Sequence, residues 1–153
     1  MIPIIIQDNF LSSEECKQLI DFYKSRSHAS EKYSTTYPLV IKTDEHKLLT
    51  EKINKVGFNV NNTIVDWFQI VRWPSPNSGK NLHKDISSVL SSVIYLNDDY
   101  DGGHTYFKDG TSFAPAIGRA IFFDGNNYPH GVSHIDRNDR YTVATWMKKC
   151  IIL

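Results

Sequence analysis

The chain has little of what would most directly name a function. It holds two cysteines, Cys16 and Cys150, in 153 residues. Two are too few for a disulfide framework, and these are too far apart for a local metal knuckle. Neither charge is in excess: 17 Lys+Arg stand against 17 Asp+Glu, for a formal net charge of +0. A protein that binds by neutralising many phosphates needs a basic excess on some face, so nucleic acid is not an expected partner. No apolar run approaches the ~20 residues that a membrane span requires. Met1–Ile6 is apolar but short, with no basic region before it and no small-residue cleavage site after it, so it reads as a first strand rather than a secretory signal. The expectation is a soluble, cytoplasmic protein with no membrane partner. Asn61-Asn62-Thr63 fits a glycosylation sequon, but without a signal it reads as a loop. Repeats and low-complexity tracts are absent as well.

What is present is the material of one ordinary domain over residues 1–153, with 41% hydrophobic and 12% aromatic residues. At this length roughly 68–70% of the unfolded surface can be buried, so a core needs no disulfide or metal. Ser12-Ser13-Glu14-Glu15 forms a capping box and predicts a helix to about Lys24, with Leu19, Ile20, Phe22 and Tyr23 as its apolar stripe. Polar Ser25 to Thr36 reads as a loop. A second helix is expected from Asp44 to about Val56, with Leu48, Leu49, Ile53 and Val56 at helical spacing and Gly57 as its stop.

From residue 64 onward the pattern changes. Ile64–Trp73 is rich in β-branched and aromatic residues and ends at the loop Pro74–Gly79. Short strands are expected at Val89–Leu96, His104–Phe107, Ser112–Ala114, Arg119–Phe123, His130–Ile135 and Tyr141–Met147, separated by Gly-, Asn- and Asp-rich turns. Closely spaced short strands define an antiparallel sandwich or jelly roll. The fold class is therefore α+β, mainly β, with two supporting N-terminal helices.

Three segments carry possible chemistry. In His83-Lys84-Asp85, an extended backbone would project the imidazole and the carboxylate from one face; a simple surface pair is the alternative. In Pro129–Ile135, His130 and His134 share strand parity, so alternation does not choose between them. Two His and one carboxylate occupy one face of an octahedron and leave open positions, as in non-haem Fe(II) oxygenases. In Arg140–Trp146, Arg140, Thr142, Ala144 and Trp146 share a face. A buried guanidinium there needs an anion and suits a carboxylate, although pairing with Asp136 or Asp139 would serve equally.

Taken together, His83-x-Asp85, a distal His and an Arg ten residues beyond His130 resemble the Fe(II)/2-oxoglutarate-dependent dioxygenases, in their prolyl-4-hydroxylase-like branch. Asn9–Cys16 looks like that branch's strand leading into a capped helix. Val93–Asp98 followed by Gly102-Gly103 resembles its strand and double-glycine turn, and Pro115–Phe123 its approach to the distal His. The resemblance implies a double-stranded β-helix (jelly roll) and an enzyme that hydroxylates an unactivated C–H bond with O2 and 2-oxoglutarate, releasing succinate and CO2. It implies Fe(II) held by His83, Asp85 and His130, with His134 ranked second. Arg140 would bind the distal carboxylate of 2-oxoglutarate, assisted by the hydroxyls of Tyr95 and Thr142, and Trp146 would wall the pocket. Ascorbate is a further cofactor the resemblance admits. At Arg72-Trp73-Pro74 the chain departs from hypoxia-type relatives, which place Tyr before Pro; Trp73 offers only an N–H donor.

The implied substrate is a prolyl residue in a peptide or protein, with a small-molecule substrate as the alternative. Residues 25–43 and 74–81 are the segments expected to contact it. Two other readings compete. A non-enzymatic jelly-roll binding module would have no need of an intact ligand pattern, and a cupin-like isomerase or zinc hydrolase would have no use for Arg140 with Tyr95 and Thr142. Asn97-x-Asp99-x-Asp101-Gly102 imitates a calcium loop but places Lys108 where a bidentate Glu is required, so it reads as a solvated turn. His28 and His46 read as surface residues and Trp67 and Phe68 as core, while His104 could be structural or line the pocket.

Overall fold

A computed structural model describes residues 2–151. In chain order the elements are β1 (Ile5–Gln7), α1 (Ser13–Ser25), β2 (Tyr37–Ile41), α2 (Lys47–Asn61), β3 (Thr63–Trp73), β4 (Ser78–His83), β5 (Leu90–Tyr95), β6 (Asp101–Gly102), β7 (Thr105–Phe107), β8 (Ser112–Phe113), β9 (Ala120–Phe123), β10 (His130–Asp136) and β11 (Arg140–Lys149). All strand pairs are antiparallel and form two sheets. The larger has the order β1-β9-β5-β11-β3-β2; the smaller has the order β4-β10-β7-β8, with β6 also on β10. Two N-terminal helices beside a two-sheet jelly roll are the architecture expected from the sequence.

The start of α1 follows from its capping box. Ser12 Oγ accepts from the Glu15 N–H at 3.1 Å, and the Glu15 carboxylate accepts from the Ser12 N–H at 2.9 Å, so two otherwise orphaned helix donors are satisfied. The helix α2 runs through Gly57 instead of stopping there. A Cβ at Gly57 would lie 2.5 Å from both the Thr63 carbonyl oxygen and Met147 Cε. The glycine therefore allows close approach of α2 to β3 and β11, and Asn62, in the left-handed region at φ 49, ends the helix.

Other boundaries also shift. The first strand is confined to Ile5–Gln7, the residues that pair with Ala120–Phe122 of β9; Met1 lies outside the described residues. Tyr37–Ile41, inside a segment expected to be irregular, is an edge strand on β3, a place where Pro38 costs no interior ladder bond. Ser78 and Gly79 belong to β4 rather than to the preceding loop. The polar run Ser-Gly-Lys-Asn-Leu-His forms a strand because β10 supplies the partner, a tertiary cause that local propensity does not report.

The helices cover one face of the larger sheet. Leu19 and Tyr23 from α1 and Leu49 and Ile53 from α2 share one buried cluster with Phe68, Ile70, Leu90, Ile94, Val143 and Met147. The opposite face of this sheet looks toward the smaller sheet, where Tyr95, Phe107, Ile121 and Phe123 form a second cluster. Phe68 is core, as expected. Trp67 is not: it is 39% exposed, because it lies on the inner face and stacks on Trp146 at 4.1 Å and 12°.

Both cysteines are free. Burial pushes the Cys16 thiol up to about 11, which suppresses its reactive thiolate form. Alkylation of the native protein at pH 8 should therefore modify Cys150 while sparing Cys16, and mass spectrometry before and after unfolding checks this. Among the described residues no helix is long and apolar enough to cross a membrane.

Candidate metal and cosubstrate site

The pairing of β4 with β10 sets His83 directly opposite His130, and the two rings lie 4.3 Å apart. Asp85, two residues past the end of β4, is held by its backbone N–H, which donates to the Gly125 carbonyl at 2.8 Å. Its carboxylate reaches both rings: Oδ1 is 3.5 Å from His83 Nε2 and Oδ2 is 3.4 Å from His130 Nε2. One donor atom from each of the three residues falls within 4.8 Å of the others, a spacing that one cation could bridge.

Their surroundings suit ligation. His83 Nδ1 lies 3.0 Å from the Asn81 carbonyl oxygen, and His130 Nδ1 lies 2.8 Å from that of Tyr128. With a metal bound, a proton on each Nδ1, donated to its carbonyl, would leave both Nε2 lone pairs facing the shared point; without one, an Nε2–H can donate to Asp85 instead. Ser91 Oγ donates to Asp85 Oδ2 at 2.8 Å. A Cβ at Gly125 would collide with the Ser91 hydroxyl and lie 2.6 Å from Asp85 Oδ2, so only glycine leaves room for this carboxylate. Burial pushes the Asp85 carboxyl up, but hydrogen bonding to His130, His83 and Ser91 outweighs it and holds the group well below the usual carboxylate range. Asp85 is thus the anion that a divalent cation requires.

His134 is kept from this group by two irregularities in the β4–β10 pairing, an extra β4 residue between His130 and Val132 and an extra β10 residue between Val132 and Ile135. They break the alternation that would have put both histidines on one face, and His134 is exposed. His134→Ala should therefore keep divalent-metal affinity within about twofold of the unmodified protein in an anaerobic titration, a response unlike that of any of the three clustered residues.

Arg140 is 1% exposed and lies opposite Trp73 in the β11–β3 ladder. Neither suggested carboxylate neutralises it: Asp139 pairs with Arg72 at 3.2 Å, and Asp136 accepts from the Arg137 N–H. Arg140 Nε donates to the Gly103 carbonyl at 3.0 Å, and its guanidinium lies 4.8 Å from the Trp73 ring and 5.3 Å from that of Tyr95. Its Nη2 is buried with no hydrogen-bond partner. Gly102 and Gly103 make this arrangement possible, at φ +71 and +66; a Cβ on Gly103 would lie 2.7 Å from the Tyr100 ring and 3.0 Å from Arg140 Cδ. A buried cation without a counter-ion is costly unless an anion arrives to meet it.

Thr142, on the same face and 1% exposed, joins Arg140, Trp146 and the three clustered residues in lining one cavity of about 1040 Å³. Parts of both segments expected to contact substrate, residues 31–36 and 79–80, line it too. The Tyr95 hydroxyl is committed elsewhere, 2.6 Å from Thr105 Oγ1 and donating to the Phe113 carbonyl at 3.3 Å; it is the Tyr95 ring that faces Arg140. Sequence reasoning passed over Thr105, Ser91 and Gly125. Ser91 follows from alternation with Tyr95 along β5, but Thr105 lies in the other sheet and Gly125 acts through a turn, and no local pattern marks either.

The remaining candidates fall outside the cavity. His104 lies 3.5 Å from Ser112 Oγ and does not line the cavity. His28 is exposed. His46 is half-buried rather than a surface residue, packed edge-on against Phe22 at 4.5 Å, because α2 begins immediately after it. The acidic turn is tied internally: Asn97 accepts from the Tyr141 N–H and donates to Asp99, and Asp101 pairs with Arg137 at 3.4 Å.

A jelly roll that sets two histidines and an aspartate on its inner face, within one cavity of a buried arginine, has the fold of the 2OG-Fe(II) oxygenases. Solved prolyl hydroxylases share that fold over nearly the whole chain. The viral collagen prolyl hydroxylase from Paramecium Bursaria Chlorella virus-1, solved as a 2OG complex, superposes with a TM-score of 0.77 at 19% identity, covering 97% of this chain and 96% of that one. The prolyl hydroxylase from Trichoplax adhaerens, in complex with a hypoxia inducible factor peptide fragment, gives 0.78 at 18% identity over 94% and 82%. A Pseudomonas putida prolyl-4-hydroxylase gives 0.74 at 19% identity over 99% and 95%. In sequence, the chain is 38% identical over 63 residues to prolyl 3-hydroxylase 1 of Homo sapiens and 40% identical over 63 residues to prolyl 3-hydroxylase 2 of Mus musculus. Each match covers 37% of this chain and 9% of the relative, so the chain spans only a small part of these curated proteins. No family model matches.

Proposed function

We propose that the protein is an Fe(II)/2-oxoglutarate-dependent dioxygenase that hydroxylates a prolyl residue in a peptide or protein. The observation that carries this reading is the presence, in one cavity, of a donor group of two histidines and one aspartate together with a buried arginine that has no counter-ion. A zinc hydrolase would use the first and leave the second unexplained. The donor set fits Fe(II), and the orphaned Nη2 of Arg140 fits a carboxylate. When bound, Fe(II) with 2-oxoglutarate and O2 supplies oxidation of a C–H bond coupled to decarboxylation of the 2-oxo acid to succinate.

The chain's own residues have three tasks. His83, Asp85 and His130 hold the metal from one side, kept in place by the Asn81 and Tyr128 carbonyls and the Ser91 hydroxyl. Arg140 neutralises the far carboxylate of the dianion, with Thr142 beside it. Trp146, stacked on Trp67, walls the open side of the cavity where a substrate enters. The peptide substrate is supported by the relatives: a prolyl hydroxylase with this fold has been solved holding a peptide fragment. Ascorbate would act as reductant. Two free cysteines suit a reducing compartment, and we place the protein, as one catalytic domain, in the cytoplasm.

Succinate release with proline-rich peptides tests the reading. Peptide-dependent succinate with a matching gain of one oxygen atom on proline is expected. Succinate released without any peptide modification would move the substrate to the small-molecule class, and no succinate at all would contradict the reaction.

A further inference from the structure

Arg140 is not the only buried donor at its end of the cavity without an acceptor. Trp73 is 8% exposed, and its Nε1 is buried with no hydrogen-bond partner. The register of the β3–β11 pair sets Trp73 opposite Arg140, its ring lies 4.8 Å from the guanidinium carbon, and both residues line the cavity. An indole nitrogen only donates, as does a guanidinium, so neither group can satisfy the other. Buried N–H groups are almost always paired; the Tyr100 hydroxyl packs with Trp73 but is itself buried without a partner and accepts from neither donor, so the two orphaned donors point to an acceptor from outside the chain. A carboxylate, with about four lone-pair positions, can accept from both. The hydroxyl that might have supplied this second bond, that of Tyr95, already contacts Thr105 and Phe113.

We propose that the Trp73 indole N–H donates a hydrogen bond to the same carboxylate that Arg140 neutralises, making Trp73 a second determinant of selectivity for a dicarboxylic 2-oxo acid. This rests on the 2-oxoglutarate reading and adds the donor that completes its far end. Trp73 then has two roles: its ring face packs on the guanidinium and its edge reads the ligand.

The test compares 2-oxoglutarate with 2-oxopentanoate, which has the same carbon chain without the distal carboxylate, by anaerobic calorimetry on the metal-loaded protein. Trp73→Phe keeps an aromatic ring and removes the N–H. It should weaken 2-oxoglutarate about tenfold and leave 2-oxopentanoate within about twofold. In the unmodified Zn(II)-loaded protein, the Trp73 indole N–H resonance, assigned by elimination with Trp67→Phe and Trp146→Phe, should move downfield with 2-oxoglutarate and stay in place with 2-oxopentanoate. Undiminished 2-oxoglutarate affinity in Trp73→Phe, an equal loss for both ligands, or an unmoved Trp73 resonance in saturated protein would each overturn the inference while leaving the cosubstrate reading intact. Failure of the unmodified protein to bind 2-oxoglutarate would overturn both.

Discussion

Arg140→Met is expected to weaken 2-oxoglutarate binding by about 100-fold or more while leaving Fe(II) affinity nearly unchanged. Losing one partner of a buried, hydrogen-bonded charge pair commonly costs about 2–5 kcal/mol, or about 30- to several-thousand-fold. Arg140 is 1% exposed, its Nη2 is unpaired, and no carboxylate reaches it among the described residues. The same facts predict an opposite effect on the ligand-free protein. An unneutralised buried cation destabilises the fold, and a Met of similar length removes that charge while keeping the packing against Trp73 and Tyr95. The variant's melting temperature without ligand should therefore equal or exceed that of the unmodified protein, and 2-oxoglutarate should raise the melting temperature of the unmodified protein alone. A large fall in stability with intact ligand binding would return Arg140 to a purely structural role.

Asp85→Ala is expected to lower Fe(II) affinity by at least about 100-fold, beyond the roughly 10–100-fold typical of changes to residues that merely support a metal ligand. Two imidazoles would remain without the anion that joins them: Asp85 lies within 3.5 Å of both ring nitrogens and is the only acidic member of the clustered trio. Its depressed carboxyl adds a pH dependence in the metal-free protein. A group whose folded pKa is lowered contributes stability that is fully present above its unfolded value, about 3.9, and is lost as pH falls through the folded one. The Asp85→Ala variant should therefore differ most from the unmodified metal-free protein above about pH 4, and the two should converge in strong acid. Thermal melts across that range measure the difference, and a gap that stays constant into strong acid would deny Asp85 its paired state.

The strands from Thr63 onward were legible because most of them are apolar, β-branched and bounded by turn residues, and α1 because its capping box is local. β4 and β2 were not, since both depend on partners distant in sequence: Ser78–His83 pairs with β10, and Tyr37–Ile41 pairs with β3. Gly57 was misread for a related reason, because the surface that demands a glycine there belongs to Thr63 and Met147. In the site, residue types and order pointed to His83, Asp85, His130 and Arg140. The choice between His130 and His134 turned on irregular pairing between β4 and β10, which residue parity cannot register. The choice between an ion pair and an open cation at Arg140 turned on Asp139 being engaged by Arg72. The Tyr95 hydroxyl was assigned from resemblance, and its bonds to Thr105 and Phe113 are tertiary contacts beyond any motif.

The central claim is that one cavity holds a metal and a 2-oxo dicarboxylate together. Its most direct measurement is anaerobic visible absorption of the protein titrated with Fe(II) and then with 2-oxoglutarate. A metal-to-ligand charge-transfer band should appear only when both are present, vanish in Asp85→Ala, and need far more 2-oxoglutarate in Arg140→Met. No band at saturating Fe(II) and 2-oxoglutarate, or a band that forms equally in the Asp85→Ala variant, would contradict it.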